Sequence, residues 1–148
     1  FRKLDELKPY IHWWKSGQDP VRDLADGTVV MSSAYNGRIA AAQAEKQRLA
    51  MVWSGGVYDF DFWALPVGVW KKQLAEEFIR FASQPEQFAE NIAYGPANRK
   101  AVGLLDPQVA ANLPTAPQNM QNAVGMNVAF WAEHGEALEQ RFQNWAKR

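Results

Sequence analysis

Two carboxylates stand two residues apart among aromatic side chains in Val57-Tyr58-Asp59-Phe60-Asp61-Phe62-Trp63. In an extended strand alternate side chains share a face, so this spacing predicts Asp59, Asp61 and Trp63 on one side and Phe60, Phe62 and Ala64 on the other. The second face has the character of a core. The first combines negative charge with aromatic rings, the equipment that holds an organic cation by charge-assisted hydrogen bonds and attraction to a ring face. These residues therefore point to a receptor for an amine. Strand pattern alone fits a plainer alternative better, the wet face of an ordinary edge strand, where carboxylates are common.

Other chemistries find little support. The sequence has no phosphate-cradling glycine loop with lysine, no nucleophile elbow and no paired-histidine zinc motif. The absence of cysteine excludes disulfides, thiol nucleophiles and thiolate metal sites, and fits either a reducing or an oxidising compartment. His12 and His134 lie far apart, each expected on a helix among tryptophans, where a core-edge role fits better than ligation. No catalytic residue, metal site or cofactor is assigned, and the chain is not read as an enzyme. With 16 basic and 16 acidic residues in balance, no net field steers a polyanion, and no nucleic-acid partner is expected. No apolar run approaches the roughly 20 residues that cross a bilayer. The chain opens at Phe1 directly in a helix-like run, which reads as a fragment or a processed product.

A length of 148 residues, 47% of them hydrophobic, is enough for one compact core. The elements that must position the acidic pair alternate helices with a few short strands. Residues 1–15 carry Leu4, Leu7, Ile11 and Trp14 at helical spacing, with Pro9 expected to kink or split the helix. Residues 18–25 predict a short helix with Asp19 as cap, Pro20 in the first turn and Gly27 past the end. Thr28-Val29-Val30-Met31-Ser32 predicts a strand running into Tyr35-Asn36-Gly37 and an alanine-rich helix over 38–48. Ligands collect at the carboxyl ends of strands in open α/β sheets, which places Tyr35 and Asn36 among the binding candidates. Leu49-Ala50-Met51-Val52-Trp53 predicts a second strand, ended by Gly55-Gly56.

An amphipathic helix is predicted over 71–83, with Leu74, Ala75, Phe78, Ile79, Phe81 and Ala82 inward. A further helix begins at Pro85 and runs through Asn91, and Ile92-Ala93-Tyr94-Gly95-Pro96-Ala97-Asn98 predicts a turn-rich loop. Helical scraps follow, punctuated by Pro107, Pro114 and Pro117. A terminal helix over 127–145 then closes the core with Trp131, Leu138, Phe142 and Trp145.

This order of segments resembles the carboxy-terminal part of the spermidine/putrescine-type periplasmic solute-binding proteins of ABC transporters. Ala75-Glu76-Glu77-Phe78-Ile79-Arg80-Phe81 followed by Ser83-Gln84-Pro85-Glu86, and the loop Ala93-Tyr94-Gly95-Pro96-Ala97-Asn98, carry the resemblance. It implies an α/β, type II periplasmic binding protein fold: mostly the second lobe, plus a segment returning to the first. On that pattern residues 1–56 belong to the second lobe, 57–102 return to the first, and 103–148 supply the second lobe's carboxy-terminal helices. The amino-terminal lobe of the same protein is missing from this chain, and the apolar surface left at the boundary favours self-association. The resemblance also implies a small-molecule amine ligand, an inner-membrane ABC permease as partner and a periplasmic location.

Carried over by position, Asp61 matches the carboxylate that grips an amine and Tyr35, before Asn36-Gly37, matches an aromatic wall. Tyr94 matches the loop tyrosine, and Gln121 a polar group near the second crossing. Asp59 departs from the pattern, standing where the family's polyamine receptors place a tryptophan. Two alternatives stay open: a receptor of the same fold for an amino acid or other small solute, and an aromatic-rich carbohydrate-binding or interaction module built on the seven tryptophans.

Overall fold

Prolines and glycines set most of the helix boundaries. The computed structural model describes residues 1–90 and 94–147. Helix α1 (Arg2–Leu7) ends where Pro9 removes a backbone donor, and Lys8–Tyr10 continues as a single 3-10 turn before the chain extends at Ile11. Helix α2 (Asp19–Ala25) has Pro20 in its first turn, and Gly27 follows it at φ +78°. The predicted Asp19 cap is not formed. Its carboxylate turns back to accept from the N–H groups of Lys15 and Ser16, so it closes the turn before the helix. His12, expected on a helix, lies in the irregular segment beyond the 3-10 turn.

Helix α3 (Asn36–Ala44) follows directly on Tyr35 and buries Gly37, Ile39 and Ala42. It ends on paired bonds from Lys46 N to Gln43 O (2.9 Å) and Gln47 N to Ala42 O (3.0 Å), with Lys46 at φ +67° where glycine is usual. The predicted strand at 28–32 has no pairing among the described residues, nor has the one at 49–53. Their β-branched and apolar residues suit a pleated sheet, but a strand exists only against a partner.

Strand β1 (Val57–Tyr58) does find one. It pairs in parallel with β2 (Val124–Gly125), Val57 opposite Val124 and Tyr58 opposite Gly125. The predicted alternation beyond β1 does not bury a core face: Phe60 and Phe62 are 55% and 81% exposed. Helix α4 (Lys72–Ala82) keeps its amphipathic pattern, yet Leu74, Phe78 and Phe81 are exposed rather than inward, with the Trp63 ring edge-on to Phe78 at 5.5 Å. Apart from that ring, this face stays largely open among the described residues.

Helix α5 (Pro85–Glu90) packs on α6 (Arg99–Val102) and on α4. The predicted end of α5 at Asn91, and Ile92 and Ala93 of the following loop, lie outside the described residues. Helices α7 (Pro107–Ala111) and α8 (Pro117–Met120) start at their prolines. Helix α9 (Val128–Ala146) returns to α1, where the Phe1, Trp13, Phe142 and Trp145 rings cluster and Trp145 Nε1 donates to Asp5 Oδ1 at 2.6 Å. Trp131, predicted to help close the core, is exposed.

The buried apolar positions are mostly small or single: Ile39, Ala42, Ala101, Leu113 and Ala116. Asn119 joins them, its Nδ2 donating to the carbonyls of Ala111 (3.1 Å) and Leu113 (2.7 Å). Replacing Asn119 by Leu leaves both carbonyls without that donor. A loss of about 1–3 kcal/mol is expected in urea unfolding with the slope unchanged.

Candidate functional site

The predicted site residues fall into three places. At the first, Tyr35 precedes α3, and Asn36 opens that helix. The Tyr35 ring is about half exposed and meets Trp14 edge-on, centroids 6.0 Å apart. The Tyr35 side chain does not cap α3; its carbonyl accepts from the Arg38 N–H at 3.0 Å and the Ile39 N–H at 3.3 Å, which closes the first turn. Arg38, in the same turn, is exposed, and no carboxylate of the described residues pairs with it.

The second place is the strand pair. Gly55 N donates to Asn122 O at 3.1 Å, Val124 N to Gly56 O at 2.8 Å and Met126 N to Tyr58 O at 3.0 Å. The parallel register sets Gln121, exposed at the end of α8, beside the Gly55-Gly56 end of β1, whereas Asp59 and Asp61 leave the strand at its other end. Both aspartates are exposed. Asp59 Oδ1 accepts from the Phe60 N–H at 2.8 Å, which turns one carboxyl back on its own backbone. Tyr58 lies across β2: a Cβ on Gly125 would sit 2.9 Å from its Oη.

Tyr94 occupies the third place, half exposed beside Gly95. Gly95 is at φ +89°, and a Cβ there would meet Pro114 Cγ at 2.9 Å, so this loop lies hard against the turn before α8. Asn98 closes the loop, capping α6 through Lys100 N and donating from Nδ2 to Ser83 O at 3.2 Å. No hydrogen bond or ring contact joins Tyr35, Asp61 and Tyr94 to one another among the described residues. A cleft of about 690 Å³ lies elsewhere, between α1 and α9, and is lined by none of the predicted residues.

Sequence reasoning missed two contributors to the first place. Helical spacing predicts Trp14 on a helix face, and its position beside Tyr35 follows only from the extended path after Pro9. Arg38 sits within an alanine-rich helix that carries no binding signal of its own, although its spacing of three from Tyr35 puts it one turn away. Among the described residues, no group of three or more His, Cys, Asp or Glu side chains is placed to hold a metal ion, and no helix is long and apolar enough to cross a membrane.

Residues 1–118 match the family described as bacterial extracellular solute-binding protein. The chain belongs to that family. Among solute-binding proteins it is 53% identical, over all of its length, to the gamma-aminobutyric acid-binding protein of Pseudomonas aeruginosa, and it spans 43% of that protein. Two solved structures extend the likeness to the fold. The Atu4243 GABA receptor superposes with a TM-score of 0.87 at 27% identity, over 98% of this chain and 46% of the receptor. AgtB of A. tumefaciens R10, solved in complex with agropinic acid, gives 0.85 at 30% identity, over 99% of this chain and 48% of AgtB. The fold is thus that of part of a periplasmic binding protein, as the segment order implied.

The charges near the first place have a pH consequence. The N–H groups of Lys15 and Ser16, with Arg22 beside them, hold the Asp19 carboxyl below its usual range, and Thr28 does the same for Asp26. A carboxyl with a lowered folded pKa stabilises the fold above its ordinary value and loses that contribution as pH falls through the folded one. Melting temperature is expected to drop as pH is taken below about 4. Asp19→Asn combined with Asp26→Asn flattens that drop in circular dichroism melts.

Proposed function

We propose that this chain is part of a periplasmic receptor that captures a small amino acid of the GABA class and delivers it to an inner-membrane ABC permease. The observation that carries this is 53% identity along the whole chain to a protein named for binding gamma-aminobutyric acid. Charge at the candidate positions supports it. GABA carries an ammonium at one end and a carboxylate at the other, so its receptor must offer both signs. Asp59 and Asp61 supply the negative groups, while Arg38, at the positive end of the α3 dipole, supplies an anion-binding end. A polyamine has no carboxylate, and would set its cationic groups against Arg38. The comparison therefore favours the amino-acid alternative over spermidine or putrescine. Tyr35, Tyr94 and Gln121 are assigned as the walls, and Asn36 as a polar contact beside Arg38.

On this proposal residues 1–56 and 103–148 form one lobe and 57–102 return to the other, with the remaining receptor completing the cleft. The exposed Leu74, Phe78 and Phe81 face of α4 then packs against that remainder. The chain by itself is expected to associate in sedimentation velocity for the same reason.

Hydrogen bonds to charged groups contribute about 1.5–3 kcal/mol each, so a few of them reach micromolar affinity once closure excludes water. Titration calorimetry on the full-length receptor is expected to show GABA binding and weak or no binding of putrescine and spermidine. Tight putrescine binding with none for GABA overturns the assignment. Asp61→Asn and Arg38→Met are each expected to weaken GABA binding about 10- to 100-fold with the circular dichroism spectrum unchanged. An unchanged affinity removes the residue from the site.

A further inference from the structure

The irregular segment between the 3-10 turn and α2 is the floor and flank of the Tyr35 ring. A Cβ on Gly17 would sit 3.1 Å from Tyr35 Cδ2 and 3.2 Å from Cε2, so the ring rests directly on that glycine. Trp14 stands edge-on to the same ring at 71°, and its Nε1 donates to Ser33 Oγ at 3.1 Å, which ties the indole to the residues leading into Tyr35.

Nothing regular in the backbone holds this segment; side chains of α2 do. Asp19 Oδ2 accepts from Lys15 N at 3.0 Å and Ser16 N at 2.9 Å. Arg22 spans two carboxylates, with Nη1 3.1 Å from Asp19 Oδ1 and with Nη2 and Nε donating to Asp23 Oδ1 at 2.9 and 3.1 Å. The Asp23 side chain is only 6% exposed, and its other oxygen lies 3.4 Å from His12 Nε2, at the start of the segment. A carboxylate this buried persists only with such partners. The segment is thereby pinned by Asp19 at Lys15 and Ser16, with Trp14 just before the pin, Gly17 just beyond it, and His12 close to Asp23 at the start of the segment.

We infer that Asp19, Arg22 and Asp23 form a clamp that sets the orientation of the Tyr35 ring through Trp14 and Gly17, and so tunes solute affinity without touching the solute. The affinity half rests on the placement of Tyr35 in the solute site proposed above. The clamp residues are positioning residues, and their effect must vanish when the ring they position is removed.

The test uses the full-length receptor labelled with 3-fluorotyrosine, the Tyr35 signal being assigned by its loss in Tyr35→Phe. Gly17→Ala and Asp19→Asn are each expected to shift or broaden that signal. A signal unmoved in both overturns the clamp. Calorimetry with GABA then reads the affinity half: Asp19→Asn is expected to weaken binding about tenfold in the wild-type background and not at all in Tyr35→Ala. Equal loss in both backgrounds assigns the residue a merely structural role and overturns the inference. Should Asp19→Asn fail to fold, Arg22→Lys, which keeps the charge but loses the fork, takes its place in the same cycle. Unchanged affinity in Tyr35→Ala alone overturns the placement of Tyr35 and the affinity half with it, an outcome distinct from an unmoved fluorine signal.

Discussion

Two strands of two residues each, paired in parallel, are the constraint on which the candidate site depends. Parallel strands need a long crossover between them and are ordinarily buried on both faces. Here the crossover runs from Asp59 to Ala123, so the ladder that closes at Gly56 and Val124 ties the end of α8 to the start of the acidic segment. A pair this short is marginal by itself. Its support comes from the added bond between Gly55 and Asn122 at the entry to the pair and from the Tyr58 ring lying on Gly125 where Asp59 and Asp61 leave the sheet.

Helices were legible in the sequence because their signals are local. Pro9 broke the first run, Pro107 and Pro117 opened α7 and α8, and the apolar spacing of 72–82 identified α4. Strands 28–32 and 49–53 were not settled locally, since pairing depends on what lies alongside. Burial failed for a related reason: the stripe of Leu74, Phe78 and Phe81 marks a face that seeks a partner, and the sequence cannot say whether that partner is in the same segment. Asp19 misled because its side chain reaches a turn as easily as a helix start.

The candidate site was legible in residue type and less so in arrangement. Asp59 and Asp61 are legible from their spacing, whereas the strand pair that sets Gln121 at the other end of β1 depends on a partner far along the chain. Tyr35 was found at the head of α3, whereas the base one turn along, Arg38, was hidden in an unremarkable helix. On the proposed function, opposite charges on separate elements leave each group solvated until a ligand of both signs bridges them. That arrangement avoids the desolvation cost of a preformed buried ion pair.

Helix α3 is asymmetric in a way that bears on its dynamics. Its leading end carries Tyr35 and is flanked by Trp14 and Gly17. Its trailing end holds Lys46 in a left-handed conformation, and the neighbouring Gln47 Oε1 is buried with no hydrogen-bond partner among the described residues. Both features cost free energy at one end only. Fraying under thermal load therefore starts at Lys46 and runs backwards, and the amides nearest Tyr35 exchange with solvent last.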